Sequence, residues 1–266
     1  IVEEALAFIS ENAEKKTPFF CVIWYGTPHS PWRALAKDIS EFKDLDKNSQ
    51  SHYAELRAMD RSVGTLRKGL RKLKIEKETL VWFTSDNGGL SKIKPSTTGG
   101  LRDFKGSLYE GGIRVPGIIE WPEKIKNQRV TEYPAGAVDI FPTIFEIAGL
   151  SNSVFLTPQD GKSLLPVIQN EIGSRDKPLV FSSRGRMALI DNEWKIISRP
   201  GEHGRKLELF NLSKDQSESN NLFRPKHPQL IRLRGALVEF RQSIDNSVRG
   251  KDYGEGRVLS QPPRMF

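Results

Sequence analysis

The chain has 266 residues, 37% hydrophobic and 28% charged, which is enough apolar material for a real core and too ordinary a mixture for disorder. Its single cysteine, Cys21, excludes an internal disulfide and a cysteine-rich metal site. The 41 basic and 33 acidic residues leave a net charge of +8. That balance favours anionic partners, or is simply surplus surface lysine, while the absence of a dense Lys/Arg block with interleaved aromatics argues against nucleic acid.

The chain opens inside an amphipathic pattern, so residues 1–14 read as the end of a helix and the true start is expected upstream. Residues 19–25, Phe-Phe-Cys-Val-Ile-Trp-Tyr, form a short apolar run between Pro18 and Gly26 and are expected to be a buried strand. A loop over 26–48 leads to the clearest helix, whose Leu56, Met59, Val63, Leu66, Leu70 and Leu73 step by three and four and so share one face. Residues 79–84 read as a second buried strand, ending in Ser85-Asp86-Asn87-Gly88-Gly89. A Gly-rich loop fills 90–112, and 113–121 is a strand interrupted by Pro116. A helix over 138–148 presents Ile140, Phe141, Ile144, Phe145 and Ala148, with Gly149 as its stop. No run of about 18 apolar residues is present to span a membrane.

Near Gly173 the pattern changes to four short strands, 179–182, 186–190, 193–197 and 207–210, with Asp191-Asn192 as a tight turn. A closing helix carries Leu230, Leu233, Leu237, Phe240 and Ile244 on one face, and a polar tail follows. The element order implies an α/β part over 1–172 and an antiparallel sheet-plus-helix subdomain with its tail over 173–266.

Three polar clusters adjoin these apolar segments. His29, in Thr27-Pro28-His29-Ser30-Pro31, can serve as acid, base or anion contact near neutral pH, or is a surface turn histidine. Asp86 and Asn87 offer adjacent oxygens suited to a hard cation, or make an ordinary strand-ending turn. Lys105, beside Gly106, can approach an anion as a point charge, or is a solvated loop lysine. Cys21, inside an apolar run, reads as packing.

Taken in order, Thr-Pro-His-Ser-Pro, Phe-Thr-Ser-Asp-Asn-Gly-Gly and Lys-Gly-Ser-Leu-Tyr-Glu-Gly-Gly-Ile-Arg-Val-Pro resemble the successive motifs of the formylglycine-dependent sulfatases. The Val138-Asp139-Ile140-Phe141-Pro142-Thr143 helix start, Asp160-Gly161-Lys162-Ser163, Asp191-Asn192-Glu193-Trp194-Lys195 and Glu208-Leu209-Phe210-Asn211-Leu212 extend the likeness to about residue 245. The resemblance implies an alkaline phosphatase-like α/β sandwich with a small C-terminal antiparallel sheet and helix. It implies that Asp86 and Asn87 are Ca²⁺ ligands, that Lys105 contacts the sulfate, and that His29 touches it and helps protonate the departing alcohol. It also implies a formylglycine made from a Cys or Ser in Cys/Ser-x-Pro-x-Arg by a formylglycine-generating enzyme. The partner is then a sulfated small molecule or glycan, and the location periplasmic or extracellular.

In that family the nucleophile motif and further metal ligands precede the strand matching 19–25, and the motif is read as absent from this chain: His29-Ser30-Pro31-Trp32-Arg33 has the Pro and Arg spacing but a His at the nucleophile position. The expectation is an N-terminally incomplete sulfatase, inactive alone. The alternatives are a phosphatase or phosphodiesterase of the same superfamily, and a non-catalytic anion- or glycan-binding pseudoenzyme.

Overall fold

A computed structural model describes residues 1–151, 157–169, 173–202 and 204–252. They pack as two compact units, the first from residues 1–99 and 115–128, the second from 100–114 and 129 onward. The expected 172/173 boundary borders an undescribed stretch, and the tail after residue 252 lies outside the described residues.

In the first unit, α1 (Val2–Glu14) buries Ala5 and Ile9, and its Leu6 lies where a Cβ on Gly69 would stand, 2.3 Å away. That glycine sits on α3 (Lys47–Lys72), which begins nine residues earlier than its leucine stripe. Asp46 makes the difference: its carboxylate accepts from the Asn48 and Ser49 N–H groups at 3.1 and 3.2 Å and starts the helix there. A short helix α2 (Ala36–Ile39) interrupts the expected loop, and its buried Asp38 takes a bidentate pair from Arg61 of α3, both bonds 2.7 Å.

The strand β1 (Val81–Thr84) forms at its expected place. It pairs antiparallel with β2 (Gly117–Glu120), Val81 opposite Glu120 and Thr84 opposite Gly117. Residues 19–25 correct the sequence reading. They alternate exposed Phe20, Val22 and Trp24 with half-buried neighbours, but they pair with no strand among the described residues. An apolar run makes a strand only where an edge offers it hydrogen bonds.

The second unit contains the short α4 (Glu110–Ile113), α5 (Ile140–Ile147), α6 (Leu165–Gln169) and the meander β3 (Leu179–Ser183), β4 (Arg186–Asp191), β5 (Trp194–Gly201) and β6 (Gly204–Asn211), hydrogen-bonded in chain order. The period of two sends alternate side chains to opposite faces. On one face Leu179, Ala188, Ile190, Ile197 and Phe210 pack against Leu108. On the other, Met187, Leu189, Ile196 and Leu209 meet Leu230, Leu233 and Leu237 of α7 (Pro228–Val248), with Phe240 and Ile244 at the margin. The stripe read from the closing helix is therefore its packing face. The stripe read from α5 holds only in part: Ile140, Ile144 and Phe145 are half-buried and Phe141 is exposed, while the fully buried positions are Pro142 and Thr143. The Thr143 hydroxyl donates to Asp139 O and accepts from Leu164 N, so a polar side chain turned inward and set the helix rotation.

Among the described residues no helix is long and apolar enough to cross a membrane.

Candidate active site

Lys105 stands exposed at the crest of a loop over residues 102–107. The loop curls back on α4: Gly111 N donates to Arg102 O at 2.8 Å and Ser107 N to Phe104 O at 3.0 Å. A Cβ on Gly111 would lie 2.2 Å from Asp103 O, and one on Gly112 would lie 2.3 Å from Ser107 O. The Glu-Gly-Gly of the motif is thus the platform on which the lysine's loop closes. Only residues without a Cβ let the two backbones approach so far.

Glu110 holds the platform. Its carboxylate and that of Glu218 each lie 2.8 Å from Lys195 Nζ, and all three side chains are buried. Glu218 also accepts the Glu110 N–H at 2.5 Å. Burial pushes the Glu218 carboxyl above its ordinary value, against the pull of Lys195. Two motifs 85 residues apart, Glu110-Gly111-Gly112 and Asp191-Asn192-Glu193-Trp194-Lys195, therefore meet in one ionic clasp.

A second buried pair fixes another motif. Asp139 takes Arg175 bidentately at 2.9 and 2.8 Å and accepts from Gly136 N and Lys162 N at 2.8 and 2.7 Å. A Cβ on Gly161 would strike Val138 O at 1.9 Å. Asp139 and Gly161 are architecture rather than chemistry.

His29 belongs to the first unit, on an exposed turn closed by its own N–H to Gly26 O at 3.0 Å. The peptide bonds before Pro28 and Pro31 are cis. Its Nδ1 lies 2.6 Å from Ser30 O. A carbonyl can only accept, so Nδ1 carries a proton and Nε2 is left to bind or exchange one. Glu55 of α3 clips the loop on both sides, accepting from Thr27 Oγ1 at 3.3 Å and Arg33 N at 2.5 Å. Trp32 Nε1 donates to Pro28 O at 2.9 Å, and the Trp32 ring meets buried His52 edge-on at 5.7 Å. Burial holds the His52 imidazole below its ordinary value, so it supports the loop as a neutral ring. The sequence reading missed His52. Its position a turn before the leucine stripe of α3 was the only signal.

Asp86 and Asn87 follow the C-terminal end of β1, Asp86 exposed and Asn87 half-buried. Ser85 Oγ donates to Asn87 O at 3.1 Å. The next turn is pressed so close to Thr97 that a Cβ on Gly89 would lie 2.7 Å from its carbonyl oxygen. These are two hard oxygen donors of the kind Ca²⁺ takes, on a constrained turn, but Ca²⁺ wants about six to eight. Among the described residues no group of three or more His, Cys, Asp or Glu could hold a metal ion. The pair fits as part of a ligand shell. Cys21 is half-buried in the extended segment, in keeping with packing.

The expected absence of the nucleophile motif is corrected by the letters of the sequence alone. Ser260-Gln261-Pro262-Pro263-Arg264 satisfies Ser-x-Pro-x-Arg by its letters. It follows every other motif instead of preceding them, and it lies outside the described residues.

Comparison with known proteins bears on these features directly. Residues 1–150 match the family model "Sulfatase", and residues 100–243 match "N-sulphoglucosamine sulphohydrolase, C-terminal". Arylsulfatase H of Canis lupus familiaris is 32% identical over 193 residues, 68% of this chain and 32% of that protein. A sulfatase of Formosa agariphila is 30% identical over 250 residues, 83% of this chain and 44% of that protein. The crystal structure of Ps i-CgsB superposes with a TM-score of 0.74 at 26% identity, covering 98% of this chain and 56% of that one; the same protein is also known in complex with k-i-k-neocarrahexaose. The chain thus spans about a third to just over half of the length of these relatives. Its fold is the alkaline phosphatase-like fold of its structural neighbours, mixed α/β with a four-stranded antiparallel sheet and a helix. With more than half of its residues under one family model and its buried clasp built from two of the motifs, the chain belongs to the sulfatase family.

Proposed function

We propose that this chain serves a sulfatase that hydrolyses sulfate esters on carbohydrates, and that Lys105 and His29 contact the scissile group. The observation that carries the reading is the Lys105 loop, where a buried ionic clasp and two glycines hold the backbone that presents one exposed lysine. A positioned cation lowers the energy of charge developing on a sulfate, and costs no reorganisation when the reaction occurs. His29, with Nδ1 committed to a carbonyl, offers Nε2 to the departing alcohol oxygen and in its protonated form delivers a proton there. The carbohydrate preference draws on the oligosaccharide bound by Ps i-CgsB and on the net charge of +8.

Asp86 and Asn87 would hold part of a Ca²⁺ shell, and with it a formylglycine hydrate from a Cys or Ser upstream would supply charge neutralisation and the nucleophile. The division at 172/173 into catalytic part and C-terminal subdomain belongs to the same reading, as does the formylglycine-generating enzyme as a partner.

The test compares the 266-residue chain with a form extended through its upstream coding sequence, both produced with a formylglycine-generating enzyme. Sulfate release is followed from 4-nitrophenyl sulfate and from a panel of sulfated oligosaccharides. The extended form is expected to turn over and the 266-residue chain not to. Lys105→Ala in the extended form is expected to cost about 10²- to 10³-fold in kcat, and His29→Ala a comparable factor. Release of phosphate instead of sulfate would move the protein to the phosphatase branch. Anion binding without turnover by the extended form would make it a pseudoenzyme.

A further inference from the structure

The sheet face that packs on Leu108 ends in a row of cations. Register pairs Ser183 with Arg186 and Arg199 with Lys206. Met187 opposite Ser198 is the last pair of the β4–β5 ladder, and Arg186 and Arg199 are the next residues outward on the two strands. Arg186 shares a face with Ala188, Arg199 with Ile197, and Lys206 with Phe210, because alternate residues of a strand point the same way. Three positive side chains therefore cross three neighbouring strands at roughly 5 Å steps. Like charges directly opposite one another destabilise a sheet, so such a row is a cost unless an anion answers it.

The row overlooks a cavity of about 440 Å³ lined by Arg102, Arg186 and Arg199 together with Ser107, Tyr109 and a single carboxylate, Asp103. Beneath it, Glu208 accepts from Arg199 Nε at 2.9 Å and from the Tyr109 hydroxyl at 2.6 Å, with Arg102 4.0 Å away. Glu208 and Asp103 thus face four cations, Arg102, Arg186, Arg199 and Lys206. Among the described residues no carboxylate pairs with Arg186 or Lys206. Arg186 donates through Nη2 to Gly106 O at 2.9 Å and through Nε to Ser183 O at 3.5 Å, which leaves guanidinium donors over. The bond to Gly106 also ties the row to the loop that presents Lys105. The Arg102 guanidinium covers the Tyr109 ring at 3.8 Å, so that ring is not offered for stacking by a nucleic-acid base.

We propose that this row and cavity bind a second anionic group of a sulfated carbohydrate, a sulfate or carboxylate other than the ester being cleaved. The ligand class rests on the sulfatase reading; the geometry of the row does not. The site selects a polyanionic chain over a singly sulfated sugar, because only the chain spans both the Lys105 loop and the row.

The test is calorimetric titration of the 266-residue chain with a heparin-derived tetrasaccharide, a κ-carrageenan tetrasaccharide, glucosamine 6-sulfate and the oligonucleotide dT8. Arg186→Gln with Lys206→Gln is expected to weaken at least one tetrasaccharide about tenfold, with a shallower salt dependence, and to leave glucosamine 6-sulfate unchanged. The charge-keeping pair Arg186→Lys with Lys206→Arg is expected to bind as the parent does. Lys105→Ala is expected to weaken both the tetrasaccharides and glucosamine 6-sulfate. The proposal is overturned if the neutralised double variant, with an unchanged melting temperature, binds both tetrasaccharides like the parent. It is equally overturned if neither tetrasaccharide binds, or if dT8 binds as tightly as they do. Unchanged glucosamine 6-sulfate binding in Lys105→Ala would strike the sulfatase reading of Lys105 alone, and the tetrasaccharide result would still decide the row.

Discussion

The loops that carry Lys105 and His29 are held by opposite means. Beneath Lys105 lies a buried ion cluster, Glu110–Lys195–Glu218, and two glycines that admit backbone oxygens where any Cβ would clash. Beneath His29 lies one carboxylate, Glu55, clipping the loop at both ends from the surface of α3, with a neutral buried His52 packed under Trp32. The first arrangement stores its stability in the interior, where breaking a pair strands a charge away from water. The second spends little and resists little. The contrast would suit the two proposed tasks: a lysine held to stabilise charge, and a histidine that exchanges a proton with solvent and substrate.

The strongest way to break the contrast is Lys195→Met. It leaves Glu218 with only the Glu110 N–H and Glu110 with only Arg114, 3.7 Å away, and is expected to cost about 3–5 kcal/mol, read as a shift in the urea midpoint followed by tryptophan fluorescence. A loss under about 1 kcal/mol would mean that the clasp does not hold the platform. Gly111→Ala comes next. Its Cβ must displace Asp103 O from 2.2 Å, at an expected cost of about 1–3 kcal/mol and with a measurable loss of sulfate affinity through the moved Lys105. Glu55→Ala should cost only about 1 kcal/mol, since the lost bonds are at a partly wetted surface, but should raise amide exchange over 27–33 more than anywhere else. Equal protection in parent and variant would show that Glu55 is not the clip.

The smallest effect is a matter of pH. Burial pushes the Tyr109 phenol up to about 12, helped by its hydrogen bond to Glu208. The folded form then holds its proton where the unfolded chain has lost it. This contribution to stability is full below tyrosine's ordinary value near 10 and disappears as pH rises through about 12. At the acid end burial raises Glu208, but bonds from Tyr109 and Arg199 outweigh it and hold it below its ordinary value near 4.5. That contribution is present above 4.5 and fades as pH falls through the folded value. In a spectrophotometric titration Tyr109→Phe should remove the last-ionising tyrosine; an unchanged high-pH limb would refute the assignment.

Local pattern alone was enough for the four strands of the meander, because each period-two run declares itself within a few residues; the tight turn lay one residue further on than read, at Asn192-Glu193, with Asp191 still paired to Trp194, and the hairpin of β5 and β6 ran longer than its apolar residues. It was enough for the face of α7 as well, where Leu230, Leu233 and Leu237 repeat at helical spacing and meet the sheet as expected. Motif order named His29, Asp86 and Lys105, which face solvent, and the half-buried Asn87. What it could not assign was the division of labour inside those motifs. Glu110 and Asp139 stood in those motifs with no role assigned, until Lys195 and Arg175 arrive from 85 and 36 residues away to pair with them in the interior. The rotation of α5 was hidden for the same reason, since Thr143 turns inward only because Leu164 supplies a partner. Residues 19–25 carried the right apolar composition and still made no described strand, for strand pairing needs a neighbour that no local window contains. The cation row across β4, β5 and β6 likewise exists only in register. Arg186, Arg199 and Lys206 are unremarkable apart, and become one surface when antiparallel pairing sets them side by side. Short-range periodicity determined the elements and their apolar faces, while the pairing of charges and the reach of backbone to backbone depend on contacts between distant residues, which only the tertiary structure decided.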